Sequence, residues 1–330
     1  MRLPRPLPAA SHPLERSVGA EPAPGPGELL LRVTTCAVCR TDLQLCEGDL
    51  AARRLPIVPG HQIVGRGVAL GTGVTGWREG ERAGVAWLAS ACGICARCTE
   101  GRENLCEKAQ FTGWDRDGGY ATHVTAKADF ALRIPDVFDD VSAAPLLCGG
   151  VIGYRALHVS GILPGQRLGL YGFGASAFLA LQVARHWGCR IFVCTRSKSE
   201  QARARSLGAE WAGGYDETPP TRLDAAVTFA PAGNVVTAAL RALDRGGTVA
   251  INAIHLDEIP AFDYDTLWWE RSLRSVANFT REDARAFLEL AAHIPIRPAF
   301  EVYSLDDANI ALARLKEGRV SGAAVLRVSE

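Results

Sequence analysis

Four cysteines lie close together near the end of the first third of the chain, as C-x2-C-x2-C-x7-C at Cys92, Cys95, Cys98 and Cys106. Four thiolates at this spacing can surround one zinc ion at about 2.3 Å per Zn–S bond and leave no coordination position open. An iron–sulfur cluster is the rival, but the C-x2-C-x2-C-x3-C-P spacing of ferredoxins is absent. The spacing therefore predicts a structural zinc site.

A second set of metal donors is dispersed along the chain, at Cys39, His61 and Cys148. Taken singly, each is ordinary, because a buried cysteine is usually a small apolar side chain. Taken together, they offer two thiolates and one imidazole, and they leave a fourth position for water or substrate. That arrangement is typical of a catalytic zinc ion. The sequence thus predicts two zinc ions per chain.

A glycine-rich segment follows an apolar run and precedes a helical pattern. It reads Gly172-Phe-Gly-Ala-Ser-Ala177, a G-x-G-x-x-A element. Glycine at the first position permits a tight turn, glycine at the second lets a pyrophosphate approach the backbone, and the small final residue permits close packing of helix on strand. The segment predicts a dinucleotide site. Its candidate cofactor contacts are Gly172, Phe173, Gly174, Ala175 and Ser176.

The turn after the next predicted strand bears on the choice of cofactor. It reads Cys194-Thr-Arg-Ser-Lys198 and contains no acidic residue for the ribose hydroxyls of NAD. The Arg196 guanidinium can hold a 2′-phosphate, with Thr195 and Ser197 as hydroxyl donors. NADP(H) is therefore favoured over NAD(H). The alternative is that Arg196 only stacks on adenine.

The sequence pattern predicts two structurally different regions that carry these residues. The first 147 residues contain short strand-like runs broken by turns, such as Glu28–Val33 and His61–Val68, with little helical periodicity. From Cys148 on, apolar runs alternate with amphipathic segments, which predicts a parallel, doubly wound sheet. The strands predicted there are Arg167–Tyr171, Arg190–Cys194, Asp224–Phe229 and Gly247–Asn252, with helices ending near Trp187 and at Leu243. Beyond Arg281 we expect a helix to Ala292, a strand near Phe300–Tyr303, a helix over Asp306–Glu317 and a strand over Ala323–Val328.

Composition limits the partners. The chain has 330 residues with 36 basic and 36 acidic side chains, so its formal net charge is zero and favours neither nucleic acid nor an anionic membrane surface. Seven prolines within the first 27 residues leave no room for the apolar core of a secretory signal. No apolar run is long enough to span a membrane. We expect a cytoplasmic location, where clustered cysteines bind metal more often than they form disulfides.

The ordered combination of these motifs resembles the zinc-dependent alcohol dehydrogenases of the medium-chain dehydrogenase/reductase superfamily. Cys39–Asp42, Gly60–His61, the four-cysteine loop, Cys148 and the glycine-rich turn carry the likeness. The segments Phe111–Tyr120 and Gly322–Val328 are similar to its bacterial branch. The resemblance implies an α/β protein, with a mainly-β GroES-like catalytic domain over 1–147 and 280–330 and an inserted Rossmann domain over 148–279. It also implies a homodimer or homotetramer.

The resemblance assigns roles to individual residues. Cys39, His61 and Cys148 would hold the catalytic zinc, which lowers the pKa of the alcohol before hydride passes to the nicotinamide. Thr41 would hydrogen-bond the substrate oxygen, and Asp42 would orient His61. The remaining implied contacts are Arg40 with the cofactor pyrophosphate, Trp87 and Trp114 in the substrate pocket, and Asn252, Ala253 and Ile254 near the nicotinamide.

Two positions depart from the family pattern. Gln62 stands where a glutamate usually follows the zinc-binding histidine, and Gln44 stands where a histidine commonly relays protons. A neutral amide supplies no carboxylate for ligand exchange and does not titrate near neutral pH. We therefore expect slower or altered alcohol oxidation, with a bias toward reduction.

The leading hypothesis is an NADP(H)-preferring zinc oxidoreductase acting on a small-molecule alcohol or aldehyde. A second enzymatic reading is an NADPH-dependent reductase of an activated C=C or C=N bond in a biosynthetic pathway, where a weakened proton relay costs less. A third reading, from another class, is a zinc-stabilised protein that binds a nucleotide without turnover.

Overall fold

The structure is a computed structural model that describes residues 1–329, over which the chain has fifteen β-strands and ten α-helices. The strands are β1 (Glu28–Val38), β2 (Ile63–Leu70), β3 (Arg82–Val85), β4 (Leu88–Ser90), β5 (Gln110–Phe111), β6 (His123–Lys127), β7 (Leu132–Arg133), β8 (Arg167–Tyr171), β9 (Arg190–Cys194), β10 (Trp211–Gly213), β11 (Leu223–Thr228), β12 (Leu243–Ile251), β13 (Ser272–Ser275), β14 (Phe300–Ser304) and β15 (Ala323–Arg327).

The α-helices are α1 (Arg40–Glu47), α2 (Ala96–Thr99), α3 (Asp140–Ala143), α4 (Gly149–Ser160), α5 (Ala175–His186), α6 (Lys198–Ser206), α7 (Gly233–Ala242), α8 (Tyr264–Leu267), α9 (Arg281–His293) and α10 (Ala308–Lys316). Short 3₁₀ helices occupy Ala9–Ser11, Glu103–Leu105, Ala128–Phe130, Ala144–Leu147 and Leu305–Asp307. Among residues 1–329, no helix combines the length and the apolar character needed to cross a bilayer.

The chain divides into two compact units. The first comprises Met1–Cys148, Thr280–Ala292 and the chain from Arg297 onward, and the second comprises Gly149–Phe279 with His293–Ile296. Cys148, which the sequence-based boundary assigned to the nucleotide-binding part, is the last residue of the first unit's opening segment. The short stretch His293–Ile296 also falls on the other side of the division from the one expected.

The first unit is built around a seven-stranded sheet with the order β14-β15-β1-β2-β3-β7, and β6 also pairs with β1. Strand β1 lies at the centre of this sheet. Its side chains are mostly apolar or threonine, and ten of its eleven residues are buried, so the strand is covered on both faces. Strand β15 returns from the C-terminal segment to pair with it, Ala324 opposite Val38. The strands predicted near Phe300 and Ala323 are thus confirmed, as is the helix between them.

Helix α1 was not expected, because the first 147 residues read as mainly β. It has eight residues, it begins directly after Cys39 and it ends at Glu47. The next residue, Gly48, has a left-handed φ of 90°. Asp42 stabilises its first turn, since the Oδ2 atom accepts a hydrogen bond of 2.8 Å from the Cys39 backbone N–H. A helix of two turns is too short for apolar periodicity to reveal.

The second unit contains a six-stranded sheet with the order β10-β9-β8-β11-β12-β13, and every pair is parallel. Numbered from β8, this is the 3-2-1-4-5-6 order of a doubly wound dinucleotide-binding fold. Successive residues of β8 and β9 are buried, so helices cover both faces of the sheet. The four strands predicted here are confirmed; β10 and β13 are short edge strands that the sequence pattern did not indicate.

Candidate functional site

The four sulfur atoms of the cysteine loop meet at one point. The Sγ atoms of Cys92, Cys95, Cys98 and Cys106 all lie within 4.8 Å of one another. Cys98 Sγ is 3.9 Å from Cys92 Sγ and 3.6 Å from Cys95 Sγ. Around zinc, tetrahedral thiolates with bonds of about 2.3 Å lie about 3.8 Å apart. The donor set therefore fits a closed zinc site.

The local backbone makes this loop compact. Helix α2 begins directly after Cys95, and Gly93 takes a left-handed φ of 76° that turns the chain between the first two cysteines. The backbone N–H groups of Ile94 and Cys95 donate hydrogen bonds that lower the pKa of Cys92 to about 6. A thiol with that pKa is largely ionised at neutral pH and is ready to bind a cation.

The dispersed donors also converge. Cys39 Sγ lies 3.9 Å from Cys148 Sγ, although the two residues are 109 positions apart, and a His61 ring nitrogen lies within 4.8 Å of both sulfur atoms. His61 is 1% exposed, whereas the two cysteines are half-buried. All three belong to the first unit, where β1 ends one residue before Cys39 and a 3₁₀ helix ends one residue before Cys148.

Asp42 lies behind the histidine. Its Oδ1 atom is 3.2 Å from His61 Nδ1 and accepts a hydrogen bond of 3.1 Å from the Gly60 N–H. Its Oδ2 atom accepts a hydrogen bond of 3.2 Å from the Tyr120 hydroxyl. Because Nδ1 faces this carboxylate, Nε2 is the nitrogen left for a metal. Two thiolates and this nitrogen fit a zinc ion that keeps one position open.

Burial and neighbouring groups shift the pKa values of the three donors. Burial lowers the pKa of His61, but the Asp42 carboxylate and Cys39 outweigh burial and raise it to about 10. Contact with Cys148 lowers the pKa of Cys39 well below its usual value, and the same contact together with burial raises the pKa of Cys148. Metal binding at this pair requires deprotonated sulfur atoms, so it would release protons.

Gly60 shapes the approach to His61. Its φ is 97°, and a Cβ atom there would lie 2.4 Å from Tyr120 Cδ1 and 2.8 Å from Cys36 Sγ. Only glycine fits this turn, so the buried Tyr120 ring can pack against the backbone while its hydroxyl reaches Asp42. Sequence reasoning missed Tyr120 because its contact with Asp42 spans 78 positions.

Of the other residues named around the catalytic donors, Thr41 and Gln44 lie on α1, and Gln62 directly precedes β2. Thr41 Oγ1 is 3.7 Å from Cys39 Sγ, so the hydroxyl adjoins the donor set. Gln44 and Gln62 are buried, at 8% and 4% exposure, and the Gln62 carbonyl accepts a hydrogen bond from the Ala37 N–H. Arg40, the first residue of α1, is exposed.

An aromatic stack adjoins His61. The Trp87 ring meets the His61 ring edge-on at 4.8 Å, and it stacks on Phe111 at 5.2 Å and on Trp114 at 5.8 Å. The outer face of Trp114 carries the Arg53 guanidinium, 3.7 Å from the ring centroid. The structure thus brings Trp87 and Trp114 together beside the donors. Phe111, to which the sequence analysis assigned no role in the site, completes the stack.

The glycine-rich turn connects β8 to α5 in the second unit. Gly172 has a φ of 90°, and a Cβ atom there would lie 2.8 Å from the Ala230 backbone nitrogen. Gly174 differs: its φ is ordinary and it is exposed. Apart from its two chain neighbours, no described residue has an atom within 4 Å of its ideal Cβ position. Nothing in the described chain requires glycine there, whereas a phosphate approaching the backbone would. Phe173 is buried, and Ala175 and Ser176, the first residues of α5, are half-buried.

The turn after β9 holds a mixed set of charges. Thr195 is buried and donates its N–H to the Gly213 carbonyl at 2.8 Å, while Arg196 and Ser197 are exposed. Lys198 Nζ lies 4.0 Å from a carboxylate oxygen of Glu217. The turn itself has no acidic residue, but Glu217 brings a carboxylate to it from the loop after β10. Sequence reasoning missed this contribution.

The residues expected near the nicotinamide follow β12. Asn252 donates its backbone N–H to the Thr228 carbonyl at 2.9 Å, which keeps the chain beside β11 as it leaves the sheet. Ala253 and Ile254 come next, and the Ile254 side chain is 48% exposed. This segment lies at the carboxyl edge of the parallel sheet, as the glycine-rich turn does.

Comparisons with known proteins agree with this architecture. The alcohol dehydrogenase GroES-like domain matches residues 25–136, and the zinc-binding dehydrogenase domain matches residues 177–293. A probable alcohol dehydrogenase, AdhA, of Mycobacterium tuberculosis (strain CDC 1551 / Oshkosh) is 47% identical, covering 98% of this chain and 95% of that protein. An alcohol dehydrogenase of Geobacillus stearothermophilus is 35% identical over 92% of each chain.

The fold has solved counterparts. A cinnamyl alcohol dehydrogenase from Sorghum bicolor superposes with a TM-score of 0.89 at 25% identity, covering 98% of this chain and 96% of that one. The GroES-like and Rossmann architecture expected from the resemblance is confirmed. The chain belongs to the zinc-type alcohol dehydrogenase family of the medium-chain dehydrogenase/reductase superfamily.

Proposed function

We propose that this protein is a zinc-dependent alcohol dehydrogenase that also works as an aldehyde reductase, with NADP(H) preferred over NAD(H). One observation carries the proposal: Cys39, His61 and Cys148 converge from distant segments, with Asp42 placed behind the histidine. Three donors with one position left open suit a metal that must bind substrate. The four-cysteine loop would hold the second zinc ion of each chain.

The residues around the donors would have different roles in the reaction. Zinc, when bound, would act as a Lewis acid that lowers the pKa of a substrate hydroxyl. Asp42 keeps His61 in one orientation and one tautomer. Thr41, with its hydroxyl 3.7 Å from Cys39 Sγ, is placed to accept the proton that the substrate loses. Gln44 cannot titrate in a relay from there, so water or a cofactor hydroxyl would carry the proton onward.

The second unit would bind the nucleotide at the carboxyl edge of its sheet. The open space over Gly174 and the free N–H groups at the start of the twelve-residue α5 suit a pyrophosphate. The bound nicotinamide supplies the hydride acceptor, or the donor in the reverse direction. Arg196 would hold a 2′-phosphate, assisted by Thr195 and Ser197. We assign Asn252, Ala253 and Ile254 to the nicotinamide end and Arg40 to the pyrophosphate.

The aromatic stack suggests where the substrate lies. Trp87 contacts His61 directly, and Trp114 and Phe111 extend the apolar surface away from the donors. We assign this surface to the carbon skeleton of the alcohol.

A combined metal and turnover measurement tests the proposal. Purified protein should contain two zinc ions per chain, and it should change nicotinamide absorbance with simple alcohols and aldehydes, more efficiently with NADP(H). One zinc ion and no turnover would instead support a nucleotide-binding protein. With a conjugated aldehyde the product should be the allylic alcohol. A saturated aldehyde would support the C=C reductase, which the alcohol dehydrogenase relatives do not favour.

We also propose a cellular compartment and an oligomeric state for this protein. The thiolate clusters need a reducing compartment, and all ten cysteines are free, which suits the cytoplasm. We further propose a homodimer or homotetramer. Light scattering on the eluted protein measures its mass directly, and a monomer of 35.3 kDa would contradict this part.

A further inference from the structure

Four basic side chains form one row across the sheet of the first unit. Arg32 of β1 lies directly opposite Arg66 of β2 and His123 of β6, and Arg66 lies directly opposite Arg82 of β3. Residues that are directly opposite each other in antiparallel strands point to the same face, with Cβ atoms about 5 Å apart. The sheet therefore brings several basic side chains to one small area of its surface.

In the described part of the chain, only the ends of the row have carboxylate partners. Arg82 Nη1 lies 3.2 Å from Asp140 Oδ1, and His123 Nε2 lies 3.7 Å from a carboxylate oxygen of Glu21. Within residues 1–329, neither Arg32 nor Arg66 forms an ion pair, and the Arg66 side chain donates one weak hydrogen bond of 3.5 Å to the Gly80 carbonyl. Both side chains are exposed, and their guanidinium groups have no counter-ion from the described chain.

A cavity of about 280 Å³ opens at these two arginines. Arg327 of β15 adds a third guanidinium to its lining, and Thr34, Thr35 and Ser329 add hydroxyl groups. A shift in the β1–β2 register between Val33 and Thr35 lets both threonines reach Asp140.

Asp140 also lines the cavity, and its charge is already engaged. Oδ1 pairs with Arg82, and Oδ2 accepts a hydrogen bond of 2.7 Å from the Thr34 hydroxyl. The remaining charge on the lining, from three arginines, is positive. Pockets for drug-sized ligands measure about 300–1,000 Å³, so a volume of about 280 Å³ suits a smaller ligand.

We propose that this cavity binds a tetrahedral oxyanion of the phosphate class, either inorganic phosphate or a small phosphomonoester, held by Arg32, Arg66 and Arg327. A planar guanidinium donates two parallel hydrogen bonds to such an anion, and its charge is fixed at every physiological pH. A dianion between the central arginines supplies the counter-ion that the described chain does not. This inference uses no residue of the metal or nucleotide sites and does not depend on the proposed enzyme activity.

Anion binding would also affect the metal donors, because the segments that line the cavity lead directly to Cys39 and Cys148. Thr34 and Thr35 lie on β1, which ends just before Cys39. Asp140 begins α3, which leads through the 3₁₀ helix Ala144–Leu147 to Cys148. An anion that joins these walls stabilises the first unit, and the stabilisation grows with the logarithm of the anion concentration once that concentration exceeds Kd. Thermal stability should therefore rise with phosphate, independently of turnover.

Calorimetric titration of inorganic phosphate, and separately of glycerol 3-phosphate, tests the proposal. The protein is loaded with zinc and saturated with NADPH, so that the nucleotide site is occupied, and a low-ionic-strength chloride buffer limits screening. We expect one anion per chain. The Arg32→Gln/Arg66→Gln double variant should bind at least about tenfold more weakly, as loss of charge-assisted hydrogen bonds predicts. Arg285→Gln, at an exposed position on α9, is the matched control and should bind like the native protein.

Three outcomes overturn the proposal. The native chain binds neither probe, the double variant keeps native affinity, or a parallel titration without NADPH shows binding that NADPH abolishes, which places the anion at the nucleotide site. Tighter binding of glycerol 3-phosphate than of phosphate identifies a phosphomonoester as the ligand, and the reverse order identifies the free ion. Circular dichroism establishes that the double variant is folded.

Discussion

Asp42 Oδ1 lies 3.2 Å from His61 Nδ1, and both side chains are at least 98% buried. The carboxylate also accepts hydrogen bonds from the Cys39 N–H, the Gly60 N–H and the Tyr120 hydroxyl. Burial raises the pKa of Tyr120, and Asp42 raises it further, so the hydroxyl remains a donor. The Asp42 side chain thus connects the start of α1, the turn before His61 and the Tyr120 ring.

Replacing Asp42 tests this arrangement. Asp42→Asn should weaken zinc binding at the dispersed donors and lower kcat/KM by about 10–100-fold, since groups that orient a metal-binding histidine contribute about that much. Tyr120→Phe removes a single donor to the same carboxylate and should cost less than about tenfold. Metal analysis and steady-state kinetics measure both effects. Native zinc content and native activity in Asp42→Asn would contradict the role given to this carboxylate.

Gln62 offers a second test, because it replaces an expected carboxylate beside His61 with a neutral amide. Gln62→Glu adds one negative charge near the donors. It should tighten zinc binding by about tenfold, the effect of roughly 1.4 kcal/mol, and raise alcohol oxidation relative to aldehyde reduction. Gln62→Met keeps the position neutral and is the control. Unchanged kinetics and zinc affinity in Gln62→Glu would show that the departure from the family pattern has no consequence.

The four-cysteine loop should contribute stability. Cys106→Ala removes one of its donors, so the zinc content should fall from two ions per chain to one. A loss of about 3 kcal/mol would lower Tm by roughly 6–12 °C. Cys189→Ser changes a half-buried free cysteine far from both clusters in sequence and should leave zinc content and Tm unchanged. Equal zinc content in Cys106→Ala and the native protein would refute a closed site in this loop.

Cofactor choice should respond to two residues of opposite charge. Arg196→Ala should raise KM for NADPH by about 10–100-fold with little change for NADH, because it removes charge-assisted hydrogen bonds to a 2′-phosphate. Glu217→Gln removes the carboxylate 4.0 Å from Lys198 and should increase the preference for NADPH by up to about fivefold, as expected for an exposed pair. Kinetics with both cofactors measure these changes. Equal losses with NADH and NADPH in Arg196→Ala would mean that the arginine only stacks on adenine.

Acid should remove one contribution to the stability of the second unit. Asp224 Oδ2 accepts hydrogen bonds from the Arg167 backbone N–H at 2.7 Å and from Nε at 2.9 Å, and Arg167 lowers the pKa of this carboxyl. A folded pKa below the unfolded value means that stability is present above the unfolded pKa and is lost as pH falls through the folded one. Asp224→Asn should therefore cost about 1.5–3 kcal/mol at pH 7.

The cost of Asp224→Asn should shrink toward zero as pH falls below the ordinary aspartate pKa of about 3.9. Denaturant unfolding of both proteins across that range measures the difference. A difference that stays constant with pH would show that the charge on Asp224 is irrelevant.

Local patterns revealed the parts of this molecule whose partners lie nearby in sequence. The cysteines at 92–106 and the turn at 172–177 are read from spacing alone, because the residues that act together are adjacent along the chain. Tyr120, Phe111 and Glu217 were not found, since each reaches its site through pairing or packing that no short window contains. Helix α1 escaped notice because capping and tertiary contacts, rather than periodicity, stabilise its two turns.

The two donor sets also differ in when they can form. The four-cysteine loop closes over fifteen residues, from Cys92 to Cys106, so a nascent chain can load it as soon as that stretch is free. Cys39 and Cys148 are separated by 109 positions and meet only after β1 lies within its sheet. Occupancy at Cys39, His61 and Cys148 would then report that the first unit has completed its folding, whereas occupancy of the loop would not.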